Sequence, residues 1–227
     1  MRISILAPEL SPDHKGGGVG DHSAWLGGAL SPAGPVWFLT GSGHSLGGPD
    51  RFRYGEHFGP EAVSRILAFL LEKRIEILLV TYVPFLYARS GVSPSLVSLV
   101  GKAAGRGIRT ALLLHEPYVP FSPHPIRVLR SLAQRMQLHA LCRRCDTVIT
   151  VCDAWSGIVR PWREGRSAPV MIPVGSNIPK VPLAAGERLV LRARLGIPER
   201  EGACAIFASD NPAHLTAWTA RSAERLW

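Results

Sequence analysis

Five short apolar runs, set apart by stretches of helical periodicity, constrain this sequence more than any other feature. They are Ile3–Ala7, Val36–Thr40, Ile75–Tyr82, Arg109–His115 and Asp146–Val151. Runs this short and this apolar suit strands buried on both faces, as in a parallel sheet. Between and beyond them, residues 19–30, Glu61–Lys73, Ser93–Arg106 and Ile126–Arg143 carry helical spacing. Arg51–Tyr54 adds a short edge strand and Ala168–Ile172 a further strand. The alternation predicts an α/β fold: a parallel sheet with helices on both faces.

The helical stretches predict which side each helix buries. Val19, Trp25, Leu26 and Leu30 share a face of the first, and Val63, Ile66, Leu67, Leu70 and Leu71 a stripe of the next. Pro94 belongs in a first turn. In the long helix, Ile126, Leu129, Ala133, Met136 and Ala140 form the apolar stripe. Arg127, Arg130, Arg135, Arg143 and Arg144 are spread around the rest, which argues against a clean membrane-facing basic face. Asp153 is placed to cap the helix that carries Trp155, Ile158 and Val159. Prolines and glycines then gather at Pro173, Gly175, Pro179, Pro182 and Gly186, which marks a linker. The expected domains are residues 1–178, a linker and helix over 179–198, and a first β-α unit of a second domain over 199–227. Strand Ala203–Ala208 belongs to the last of these.

A chain of 227 residues with 46% hydrophobic content can bury a sizeable core and is not a disordered segment. Its net charge of +9 comes from scattered arginines, without the interleaved basic and aromatic residues of a nucleic-acid motif. The charge fits an Arg-rich exterior first, and an anionic ligand or lipid surface second. Cys142 and Cys145 form a C-x-x-C, but no second pair or spaced histidines complete a zinc site. With Cys152 and Cys204 they read as free thiols of a reducing compartment. The N-terminal apolar run is too short for a signal peptide, and Glu72, Lys73 and Arg74 interrupt the longest apolar stretch. A cytoplasmic protein is expected, with peripheral contact at the inner face of a membrane left open.

Ligands of open α/β sheets bind beyond the carboxyl ends of the strands. There the sequence places the loop Gly16–Gly20 with Asp21 and His22, and the pair His115-Glu116. A glycine loop leading into a helix suits an anion, because the first-turn N–H groups are unpartnered and the helix dipole is positive there. It also suits a plain strand-helix connection. His115 suits proton transfer or hydrogen bonding to a substrate oxygen, and equally a structural bond to a loop. A nicotinamide fingerprint is weak, because the residues Pro8 to Lys15 separate strand from glycines and the second strand closes on Thr40-Gly41. No Gly-x-Ser-x-Gly elbow, Walker A lysine or metal cluster is present in the sequence.

Four motifs in order resemble the N-terminal half of a family 4 glycosyltransferase with the B-type, two-Rossmann fold. They are Gly17-Gly18-Val19-Gly20-Asp21-His22-Ser23, Leu113-Leu114-His115-Glu116-Pro117, Cys145-Asp146-Thr147-Val148-Ile149-Thr150-Val151 and Ile172-Pro173-Val174-Gly175-Ser176-Asn177-Ile178. The resemblance implies a Rossmann-like acceptor domain and retaining transfer of a sugar from a nucleotide diphosphate-sugar to a saccharide or lipid acceptor. It implies no obligatory metal and no cofactor beyond that donor. It places Gly17, Gly18, Val19 and Gly20 at phosphate or sugar, His115 near the donor sugar with Glu116 orienting substrate, and Asp21 and His22 by the acceptor. His115 and Asp21 are its catalytic candidates. The family's second half supplies basic residues and a paired-glutamate motif for the donor. This chain carries about one β-α unit of that half, so it is expected to be inactive alone unless a separate chain completes it. A non-catalytic sugar- or partner-binding module of the same fold is the alternative.

Overall fold

Among the described residues, the apolar runs lie side by side as seven parallel strands. They are β1 (Ile3–Leu6), β2 (Val36–Gly41), β3 (Arg51–Gly55), β4 (Ile77–Tyr82), β5 (Arg109–Leu114), β6 (Thr147–Thr150) and β7 (Val170–Met171). A computed structural model describes residues 1–8, 10, 18–41, 50–175, 182, 184, 186–198 and 200–201. The chain divides into two compact units, Met1–Asn177 and Ile178–Trp227, and the sheet belongs to the first. The expected strand Ala203–Ala208, together with Cys204, lies outside the described residues.

The strand order is β3-β2-β1-β4-β5-β6-β7, with every neighbouring pair parallel. This is the Rossmann order with one added edge strand, and the chain reverses its direction of travel across the sheet between β1 and β4. Right-handed crossovers then put helices on opposite faces either side of the reversal. Helix α1 (Gly18–Leu30) covers one face, where Ala24, Leu26 and Leu30 meet Ile3, Ile5, Phe38 and Leu79. Helices α2 (Pro60–Glu72), α3 (Pro94–Ala104), α4 (Pro125–Arg144) and α5 (Asp153–Val159) cover the other. Their Ile66, Leu70, Leu99, Leu141 and Val159 pack on Leu39, Leu78, Val80 and Leu112. The fold is α/β and Rossmann-like, as the alternation of runs predicts.

Helix faces depart from the periodic reading in two places. On α1 the buried residues are Gly20, Ser23 and Gly27, while Trp25 is 64% exposed. The cause is close approach: a Cβ on Gly27 would stand 2.2 Å from Cζ of Phe38, so the helix meets the sheet through its smallest residues. Trp25 does not join the buried face.

On α4 the expected stripe is not the buried one: Ile126, Leu129 and Met136 are 64%, 68% and 73% exposed, with Leu132 beside them at 45%, and Ala133 and Ala140 are only half-buried. The inward side carries Ser131, Gln134 and Gln137, followed by Leu138, Leu141 and Cys142. The polar groups face loops whose backbone must be satisfied away from water. Ser131 Oγ donates to Val119 O at 2.7 Å, and Val119 N–H donates to Gln134 Oε1 at 2.9 Å. Gln137 Oε1 accepts from Ser93 N–H, and its Nε2 donates to Tyr82 Oη at 3.1 Å. Only the C-terminal half of α4 reaches the apolar core.

The end of α4 is held by Arg163, whose residue is 2% exposed. Its guanidinium donates to the carbonyls of Cys142 (2.7 Å), Cys145 (2.6 Å), Asp146 (2.7 Å) and Ser167 (2.9 Å). It thereby satisfies carbonyls that a helix end leaves without intrahelical partners. Asp153 is the first residue of α5, and the cap position is Cys152, which makes no side-chain capping bond. The expected cap is therefore a first-turn carboxylate favoured by the helix dipole. In the second unit, α6 (Glu187–Arg194) buries none of its residues. No described helix is long and apolar enough to cross a membrane.

Candidate functional site

Because all strands are parallel, their carboxyl ends share one edge, and the site forms there. Leu114 ends β5, and the next residue, His115, is anchored by its backbone N–H donating to Tyr82 O at the end of β4 (3.0 Å). Its own carbonyl accepts from Trp155 Nε1 of α5 at 3.0 Å. The backbone of His115 is thus held from both sides. His22 lies in the first turns of α1, which follows β1. The reversal of strand order sets β1 beside β4, so the two histidines meet over the switch point.

Their contact is direct. His22 Nδ1 and His115 Nε2 are 3.3 Å apart, across 93 residues of sequence. The rings meet edge to face, with centroids 5.0 Å apart and planes at 83°. Burial lowers the pKa of both, because an imidazolium loses its hydration there. His115 is pushed down to about 4, first by that desolvation and then by the neighbouring His22. Both shifts favour the neutral ring over the imidazolium, and neutral rings meet here through a hydrogen bond.

A cavity of about 400 Å³ opens beside His22, lined by Gly18, His22, Trp25, Leu26, Ala29, Val174 and Gly175; His115 is not among these described lining residues and reaches it only through His22. None of these described lining residues is cationic. Trp25, which α1 does not bury, offers a flat aromatic wall.

The structure brings together His22, His115 and Gly18 of the expected site residues. Gly18 opens α1, and a Cβ there would meet nothing within 4 Å. Val19 is half-buried with its carbonyl accepting from Ser23 Oγ at 2.8 Å, and Gly20 is buried. Asp21 stands in the first turn of α1. Glu116 is exposed beyond β5, its backbone N–H donating to Tyr82 O at 3.4 Å. Neither carboxylate residue is among the described cavity lining. Gly17 and Gly16 lie outside the described residues.

Two contributors escape sequence reasoning. Periodicity puts Trp25 on the core face, whereas the close approach of Gly27 to Phe38 leaves it exposed. Trp155 holds His115 through its indole N–H, a bond between residues 40 apart. Among the described residues, no group of three or more His, Cys, Asp or Glu is placed to hold a metal ion. Cys142 and Cys145 are buried free thiols, each pushed up to about 12 chiefly by that burial, so neither is a thiolate near neutrality.

No protein-family model matches this sequence, and no curated protein matches it significantly. Solved structures with some likeness include the spore cortex-lytic enzyme SleL of Bacillus cereus, at 9% identity and a TM-score of 0.37. That match covers 87% of this chain and 59% of SleL. SleL of Bacillus megaterium QM B1551 gives 10% identity and 0.35, over 76% of this chain and 46% of that one. A chitinase from Chromobacterium violaceum ATCC 12472 gives 12% and 0.31, over 65% and 47%. The chain thus spans about half the length of these proteins. At such TM-scores the likenesses carry no argument, and the fold rests on strand order and register.

Proposed function

We propose that the first unit is the acceptor-side half of a glycosyltransferase, one that moves a sugar from a nucleotide diphosphate-sugar to a saccharide or lipid acceptor. The observation that carries this reading is the His22–His115 contact at the switch point, beside the cavity. It joins two of the motifs that resemble family 4 glycosyltransferases. In this reading His115 faces the donor sugar, His22 and Asp21 the acceptor, and the glycines opening α1 offer backbone N–H groups to phosphate. Neutral imidazoles orient hydroxyl groups by hydrogen bonds. The charge that develops on a departing diphosphate needs donors aimed at it, and the described cavity lining contains no cationic side chain to provide them.

Calorimetric titration of nucleotide-sugars and saccharide acceptors onto the purified chain tests the proposal. Binding is expected, weakened tenfold or more (about 1.4 kcal/mol) in His22→Ala and His115→Ala. Absence of binding across the panel, or equal binding by both variants, would overturn it. Saturable NAD binding in place of sugar binding would assign the fold to a dinucleotide instead.

A further inference from the structure

We propose that the acceptor is an amphiphile: its hydroxyl head meets His22, and an alkyl chain lies along the outer side of α1 against Trp25. This rests on the glycosyltransferase reading above and narrows its acceptor. His22 stands four residues after Gly18, Trp25 and Leu26 stand three and four after His22, and Ala29 follows them by the same steps, so all line one side of the helix. That side cannot roll inward. Gly27 meets Phe38 too closely for any Cβ, and Gly20 and Ser23 are buried on the same side as Gly27. Val174 and Gly175, which follow β7, complete the cavity.

Polarity decides the ligand. Besides the Trp25 indole N–H, His22 carries the only polar side-chain group among the described lining residues. His115 occupies its Nδ1, which leaves Nε2 for a ligand hydroxyl. The head belongs at this end, where Gly18 opens α1 and first-turn N–H groups lack intrahelical partners. Ala29 lies two turns further along, about 10 Å away. A bare saccharide laid along Leu26, Ala29 and Val174 would bury hydroxyls without partners, whereas an alkyl chain gains by leaving water there. A second cavity of about 480 Å³ adjoins at Trp25 and Ala29 and is lined also by Ala24 and Gly28, so the apolar space continues past the indole. Both volumes fall in the range of small-molecule sites.

Calorimetric titration of the full chain with methyl, butyl, hexyl and octyl glycosides of glucose, galactose and mannose, each below its micellar concentration, tests this. Affinity is expected to rise about fourfold for each methylene that the cavity covers. Tryptophan emission should shift to the blue as the chain covers Trp25, and Trp25→Ala should lack that shift. Trp25→Ala should also lose tenfold or more of the octyl affinity while circular dichroism and Tm stay unchanged, since the side chain is exposed. Ala29→Phe should block the far end, so that octyl glycosides bind no better than butyl ones. Failure of every octyl glycoside to bind, equal binding of methyl and octyl glycosides, or full octyl affinity in Trp25→Ala overturns the proposal. Octanol binding as tightly as the octyl glycosides would show that no head is recognised and equally overturns it. Graded alkyl glycoside binding by a chain that takes up no nucleotide-sugar would support the amphiphile site and overturn the transferase reading instead.

Discussion

Arg163 is a single side chain on which the end of a helix depends. Four carbonyls from three segments converge on it, and it is almost fully buried. Arg163→Ala strands those carbonyls without partners and should cost about 3–5 kcal/mol of stability, measured by urea unfolding. Among many arginines in the sequence nothing marks this one, because its partners are backbone atoms brought close by the fold. The histidine pair is legible in part. His22 and His115 each stand where a strand end and a helix start predict a site, but their mutual contact depends on strand order. Its pH behaviour follows from the lowered folded pKa of His115. The unfolded chain takes up a proton near the ordinary 6.5 while the folded ring resists until about 4. Stability present above pH 6.5 is therefore lost as the pH falls from there to about 4. His115→Gln should flatten the fall in Tm across that window, and an unchanged slope would show that other groups dominate it.

Elements differ in how much their sequence discloses. The stripe of α2 is buried at Val63, Ile66, Leu67 and Leu70, where the helix packs broadly on an apolar sheet face, while Leu71 at its end turns out to solvent and is 49% exposed. Helices α1 and α4 depart from their periodicity, for a shared reason. Periodicity reveals that a stripe exists, while its direction is set by what lies underneath. Under α1 lies the Phe38 ring, which leaves room only for glycine and serine. Under the first half of α4 lie loop N–H and carbonyl groups, which call for glutamine and serine. Gln137→Leu would leave the Ser93 N–H and the Tyr82 hydroxyl unpaired and should cost about 2–4 kcal/mol by thermal unfolding, despite the more apolar side chain. The loop under α4 also requires Gly91, with φ at +77° and Gln134 Nε2 only 2.1 Å from a would-be Cβ. Gly91→Ala should lower stability by about 1–3 kcal/mol.

For the whole molecule, the fold class is open to reading because strands buried on both faces must be apolar throughout. The clustered buried hydrophobics of the described residues lie between Ile3 and Val159, within the first compact unit. Residues 1–177 expressed alone should therefore give native-like circular dichroism and cooperative thermal unfolding; a non-cooperative transition would show that the second unit completes the core. The histidine pair, which ties α1 to the end of β5, also dictates what a ligand must look like. Two neutral imidazoles joined by one hydrogen bond leave two outward nitrogens of opposite polarity, one a donor and the other an acceptor. Reversing the shared bond exchanges these roles, so the pair always presents one of each. A hydroxyl group satisfies either arrangement, whereas a methyl ether can only accept. A ligand reaching either nitrogen with a free hydroxyl leaves both tautomers available, and its O-methylated counterpart freezes one.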